Sequence, residues 1–210
     1  MKIKSFVFSI LVLLCLSGCE KSENIVNIGV GSEILAAKNS TGEIPKLPSS
    51  LKKGLVAWYP FNGDAKDYSG NKNHGYVISA SLTTDRAGVT DRAYEFNGGA
   101  GISVKSSPTL ESFSNAYSFS AWVYINQFTG SGPGQFPILD KNIVCPGTSG
   151  NTPFLFVGSD DNNGYHIQSI ECGVQTMYGS QGFPSTKQVW THLAAVYDGT
   201  SIKIYINGTL

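Results

Sequence analysis

The sequence predicts an all-β protein, an antiparallel sandwich of the jelly-roll kind. Three observations carry that prediction. Short apolar runs in strand rhythm recur between clusters of Gly, Asn, Asp and Ser. No segment has the apolar period of an amphipathic helix longer than one turn. The 24 Gly and 9 Pro of the 210 residues are scattered rather than periodic, which suits turns and excludes collagen. With 3 Trp, 10 Tyr and 11 Phe, the chain has enough bulk for a core.

Taken in order, the strand signals begin at Leu55–Tyr59 and Tyr94–Phe96, both apolar or aromatic runs. Gly101–Lys105 alternates Ile102 and Val104 with Ser103 and Lys105. Ser118–Ile125 places Phe119, Ala121, Val123 and Ile125 on one face and Trp122 and Tyr124 on the other, so cover is expected on both. Phe154–Val157, Gly164–Ile170 and Trp190–Tyr197 follow, and Ile202, Ile204 and Ile206 alternate with polar neighbours. Asp198-Gly199 is expected to supply the positive-φ residues of a tight hairpin between the last two. Ser107–Glu111 reads as a single helical turn.

Charge excludes one class of partner. Fifteen basic residues balance fifteen acidic ones, and only 14% of residues are charged. Nothing here neutralises a phosphate backbone, so no nucleic acid is expected.

The N-terminus reads as an address. Lys2 and Lys4 precede an apolar run from Phe6 to Leu16, too short for the ~20 residues of a membrane-spanning helix, and Leu16-Ser17-Gly18-Cys19 follows. This resembles a bacterial lipoprotein signal with its lipobox. The resemblance implies that residues 1–18 are removed and that Cys19 carries the lipid. Glu20 in place of Asp then points to the outer membrane of a Gram-negative cell, on its surface or periplasmic face. The cut removes two Lys and no acid, so 15 less two leaves 13 basic against 15 acidic residues. Residues 19–53 are polar and read as a tether spanning about 30 Å as a coil, and residues 54–210 as the folded domain. Cys15 leaves with the signal and Cys19 is acylated, which delivers two thiols, Cys145 and Cys172, to an oxidising compartment. A disulfide between them is expected. It would close a loop of about 28 residues and contribute about 3 to 4 kcal/mol.

Several segments then carry a family pattern: Gly54-Leu55-Val56-Ala57-Trp58-Tyr59-Pro60-Phe61-Asn62, Asp67-Tyr68-Ser69-Gly70-Asn71, Asn73-His74-Gly75, Ala93-Tyr94-Glu95-Phe96-Asn97-Gly98, Phe119-Ser120-Ala121-Trp122-Val123, Trp190-Thr191-His192-Leu193-Ala194, Tyr197-Asp198-Gly199 and Ile204-Tyr205-Ile206-Asn207-Gly208. In this order they resemble the bacterial LamG-like jelly-roll family of concanavalin A-like sandwiches. The resemblance spans residues 54–210 and implies the fold. Members serve as glycan-binding modules, adhesion domains or appendages to enzymes, so function must be argued from a site. Residues 129–153 and 160–184 depart from the pattern. The family's jelly rolls continue with further strands, the last of which pairs near the first. Because Asn207-Gly208 is itself a hairpin signal, the domain is expected to run past Leu210 and Leu55–Tyr59 to lack a neighbour.

Candidate site residues follow from chemistry. Trp58, Trp122 and Trp190 lie inside strand patterns and are assigned to the core. Sugar-stacking candidates are Tyr165, Tyr178 and Phe183, in or near the unmatched Gly-rich loops. The turn from Asp64 to Asn73 gathers side-chain oxygens of the kind calcium takes, with Asp64, Asp67, Asn71 and Asn73 as the candidate ligands. Asp160-Asp161-Asn162-Asn163-Gly164 is a second oxygen-rich loop. Gly130–Gly134 lacks the helix a phosphate loop needs, and the Cys and His residues lack zinc spacing. No catalytic residue is assigned: Glu95, Glu111 and Glu171 are isolated and Gly-x-Ser-x-Gly is absent. The sequence therefore describes a lipid-anchored recognition module for a glycan or surface glycoconjugate. The rivals are a protein-adhesion module binding another surface protein and, more remotely, a glycan-active enzyme.

Overall fold

The computed structural model describes residues 6–13, 44, 46–97, 99–111, 116–126, 136–144, 151–160, 164–171, 174–180, 187–198 and 200–210, without the side chains of 6–13, 136–137, 142–144, 151–160, 164–171 and 174–180. Strands β1 (Phe6–Leu13), β2 (Leu55–Tyr59), β3 (Gly75–Ile78), β4 (Ser81–Thr83), β5 (Ala93–Phe96) and β6 (Gly101–Val104) precede one helical turn, α1 (Pro108–Glu111). After it come β7 (Tyr117–Ile125), β8 (Phe136–Val144), β9 (Asn151–Asp160), β10 (Gly164–Glu171), β11 (Val174–Ser180), β12 (Trp190–Tyr197) and β13 (Ile202–Ile206). All pairings between these strands are antiparallel. The expected all-β sandwich class is thus the observed one.

The largest sheet has seven strands in the order β13-β12-β7-β1-β5-β4, with β2 also paired to β1. Two smaller sheets, the meander β11-β10-β9-β8 and the pair β3-β6, accompany it. Alternation decides which side of the large sheet is covered. Tyr117, Phe119, Ala121, Val123 and Ile125 of β7 are buried, as are Leu193 and Ala195 of β12 and Ile204 of β13. Val77, Ile102 and Val104 of the two-stranded sheet and Ile138 and Leu139 of β8 pack against that core from the other layer. Gly75 sits at its tightest point: a Cβ there would lie 2.5 Å from Ile102 Cγ2 and 3.0 Å from the Ala65 carbonyl oxygen.

The apolar N-terminal run is not outside this sheet. β1 lies between β7 on one side and β5 and β2 on the other. Its positions 6, 8 and 10 stand opposite Ile125, Val123 and Ala121, all buried. The expectation that Leu55–Tyr59 lacks a neighbour is therefore corrected: Ile10 to Leu13 pair with it. The physical reason is that a nearly continuous run of β-branched, aromatic and other large apolar residues satisfies an inner strand slot as readily as a signal.

Two turns refine the expectations. Asn207 and Gly208 take φ of 51° and 82°. Ile206 and Thr209 exchange both backbone hydrogen bonds across them, which is the predicted hairpin. Asp198, by contrast, works through its carboxylate, whose Oδ1 accepts the amides of Thr200 and Ser201. These bonds hold its acid far below the usual carboxylate range.

Candidate functional site

Two places gather polar chemistry, and they differ in what their groups have left over. The first is the turn between β2 and β3, the sequence's calcium candidate. Asp67 is 6% exposed and its oxygens are occupied. Oδ1 accepts the amides of Trp58 and Ser69 at 2.9 and 2.8 Å, while Oδ2 accepts the Ser69 hydroxyl and the Asn73 amide at 2.8 and 2.9 Å. Asn71 and Asn73 turn their Nδ2 donors on the Val56 carbonyl, at 2.9 Å each, and Asn73 Oδ1 accepts from the Ser107 hydroxyl. Tyr59 donates its hydroxyl to the Asn73 carbonyl, and burial, with the Asp67 charge, raises its pKa. Asp64 points elsewhere, to Lys66 Nζ at 2.9 Å. Burial opposes its ionisation, but hydrogen bonds and charge from Lys66 and the Tyr68 hydroxyl lower its pKa.

The four candidate ligands are thus not gathered around one point. Three of them, Asp67, Asn71 and Asn73, cover the edge of β2 that β1 does not pair. Among the described residues no group of three or more His, Cys, Asp or Glu comes together.

The second place is the half-buried face of the large sheet, opposite the core. Strand register sets Trp190 beside Tyr124, His192 beside Trp122 and Ala194 beside Ser120. Leu11 stands between Ser120 and Trp58 in the same row. All of these except Leu11, whose side chain is outside the described residues, are half-buried, whereas their strand neighbours Thr191, Leu193, Ala121 and Val123 are buried. The assignment of Trp58, Trp122 and Trp190 to the core is therefore corrected. Alternation places Trp122 and Trp190 opposite the core, and large rings there remain partly in water. The expected cover on the second face of β7 is likewise only partial.

On this face Ser120 Oγ and His192 Nε2 lie 2.8 Å apart. The His192 and Trp122 ring centroids are 5.2 Å apart, and those of Trp190 and Tyr124 are 5.6 Å apart at 56°. The Arg86 guanidinium lies over the Trp122 ring, 4.5 Å from its centroid. Burial lowers the His192 pKa and the Arg86 charge lowers it further, so the ring is neutral at pH 7. Its backbone is fixed by the Asn207 turn: the His192 amide donates to Asn207 Oδ1, and the Asn207 amide to the His192 carbonyl. Tilted ring pairs beside a serine, an imidazole and a guanidinium can hold an amphipathic ligand, apolar on one face and rich in hydroxyls at its rim.

Other candidates fall differently. Tyr165 and Tyr178 lie in β10 and β11, but their side chains, and all of Phe183, are outside the described residues. So are Cys19, Cys145, Cys172, the Gly130–Gly134 segment and residues 161–163. Glu111 bonds the Ser106 hydroxyl and pairs with Lys141 at 3.2 Å. Arg86 and Ser120 were not anticipated. Spacing alone puts Ser120 with Trp122 and Trp190 with His192 on shared faces, but it does not align the two strands, and no local signal marks Arg86.

A family model matches residues 96–210, more than half of the chain, and is described as the concanavalin A-like lectin/glucanases superfamily. It includes Trp122, Trp190 and His192 but begins after Arg86 and the Asp67 turn. Searches of curated proteins and of solved structures found no match. The sandwich of antiparallel sheets and the matched segment agree: the chain belongs to the concanavalin A-like lectin/glucanases superfamily.

Proposed function

We propose that this protein is a lipid-anchored extracytoplasmic module that binds a glycan or glycoconjugate on the half-buried, ring-bearing face of its large sheet. The observation that carries the reading is the row of half-buried rings, Trp190 with Tyr124 and Trp122 with His192, bordered by Ser120 and Arg86. Sugars present one apolar ring face and a rim of hydroxyls, and this surface offers both complements. Superfamily membership supports the reading at the level of the fold. In the same reading Cys19 carries the lipid, residues 19–53 hold the domain off the membrane, and a Cys145–Cys172 disulfide ties the two segments that depart from the family pattern.

Binding fits the face better than catalysis. A serine–histidine pair needs a third group that orients the imidazole and stabilises its charge. The charge beside His192 is instead a cation, Arg86, which opposes protonation. A second reading, protein adhesion, is favoured by one feature, the exposed Tyr76 and Ile78 on β3 at 73% and 44%.

A glycan array probed with the detergent-solubilised full chain tests the proposal, followed by Trp190→Ala with its melting curve recorded. Binding is expected in the parent and at least a tenfold loss in the variant, which still melts cooperatively. A parent that binds no glycan, or a variant that binds as before, overturns it.

A further inference from the structure

Arg86 is placed by the loop joining β4 and β5, and that loop is built to hold a fixed shape. Asp85 Oδ1 accepts the amides of Ala87 and Val89 at 2.8 and 2.9 Å. The Asp85 backbone also exchanges bonds with Val89 and Gly88, and the Arg92 amide returns to Thr83. From this loop the guanidinium reaches the ring of Trp122.

Its chemistry there is unfinished. A guanidinium carries five N–H donors in a planar fork and no acceptor. Among the described residues Arg86 has no hydrogen bond and no ion pair; its guanidinium lies on the Trp122 ring face and feels the Asp85 charge without bonding to it. The nearest carboxylate, Asp85, commits its Oδ1 to the loop amides. Burial has already withdrawn part of the water from the cation, enough to lower its pKa. A half-desolvated guanidinium gains most from a planar carboxylate, which accepts two parallel N–H bonds and supplies the missing charge. Two residues farther along the strands, about 7 Å away, the Tyr124–Trp190 pair offers the next ring surface. Ser120 and His192, the latter neutral, add polar atoms without adding a competing charge.

We propose that Arg86, held over Trp122 beside His192, forms the subsite for the carboxylate of an acidic sugar, with a ring of the same glycan lying on the Tyr124–Trp190 pair. The ligand class is therefore a uronic-acid-containing glycan. This rests on the glycan-binding reading above and narrows it.

The test compares three probes on the detergent-solubilised full chain: a linear trigalacturonate, its fully methyl-esterified form and a sulfated neutral trisaccharide, titrated by calorimetry or tryptophan fluorescence. The acid is expected to bind at least tenfold tighter than the ester, and the advantage to shrink as salt rises. In Arg86→Gln the acid and ester are expected to bind alike, with Arg86→Lys restoring part of the difference. Equal affinity of the parent for acid and ester overturns the acidic subsite while leaving glycan binding standing. A sulfated probe that outbinds the uronate also overturns it, because the ligand class would then be a sulfate ester. Binding of none of the three, together with an array on which no glycan binds, overturns both readings. The comparison of acid with ester uses the unaltered protein, so it decides the matter even if an Arg86 variant fails to fold.

Discussion

The Asp67 turn and the Trp122 face are built from similar polar groups, yet one is closed and the other open. Around Asp67 the amides of Trp58, Ser69 and Asn73 meet two oxygens, the Asn71 and Asn73 side-chain amides converge on the Val56 carbonyl, and the single Ser69 hydroxyl proton lies within reach of both acceptors. Around Trp122, five guanidinium donors meet a ring face and a serine shares one nitrogen of a histidine. A polar cluster whose valences are used up is structure, because any ligand must first displace bonds that already exist. A cluster with donors left over and ring faces partly in water has something to give a ligand. Residue type does not separate the two; the first was the more tempting site by composition.

The contrast breaks most sharply at Asp67. Replacing it with Ala leaves the buried amide of Asn73 and the part-buried amides of Trp58 and Ser69 short of an acceptor, and a loss of about 3 to 5 kcal/mol is expected. Chemical denaturation measures it. A loss under about 1 kcal/mol would mean that water replaces the carboxylate and that the turn is not closed.

A smaller effect is expected at His192, where the sign follows from its lowered pKa. The unfolded chain takes up a proton near the ordinary value of 6.5, before the folded ring does. Stability from this group is therefore complete above that pH and is lost as the pH falls through the folded value. The melting temperature should drop between pH 7 and pH 5, and drop less in His192→Gln. Identical pH profiles in parent and variant would remove His192 as the source.

The smallest expected effect is none. Calcium would have to displace the four donors on Asp67, so EDTA and millimolar calcium should give the same melting temperature. A clear rise with calcium would restore the ion to this turn, since a ligand that binds only the folded state must stabilise it.

Much of the large sheet was legible in the sequence because its strands alternate cleanly and end at Gly, Asn or Asp. β12 and β13 carry the predicted bounds, and the Asn207-Gly208 turn has the backbone its residues require. The strands β3 and β4 were not legible: four and three residues long, with Ser81 and Thr83 among them, they are too short to establish a period. In β8, Pro137 and the Asp140-Lys141 pair interrupt the apolar pattern. The ring-bearing face was not legible for a different reason. Alternation divides Ser118–Ile125 into two faces, but both bear aromatic rings, and only the packing of a second layer says which one is covered. Arg86 becomes visible only when its loop folds across the sheet, a fact no local pattern contains.

The place of β1 ties the processing of the N-terminus to the integrity of the sheet. If a peptidase cuts ahead of Cys19, the segment it removes is the strand that joins β7 to β5 and β2. Three rows of backbone amides and carbonyls would lose their partners together, a cost no folded protein leaves uncompensated. After such a cut the sheet would keep its pairing only if another apolar segment took the vacated register. The same eight residues thus carry two readings, the apolar stretch of a signal in the sequence and an inner strand in the fold.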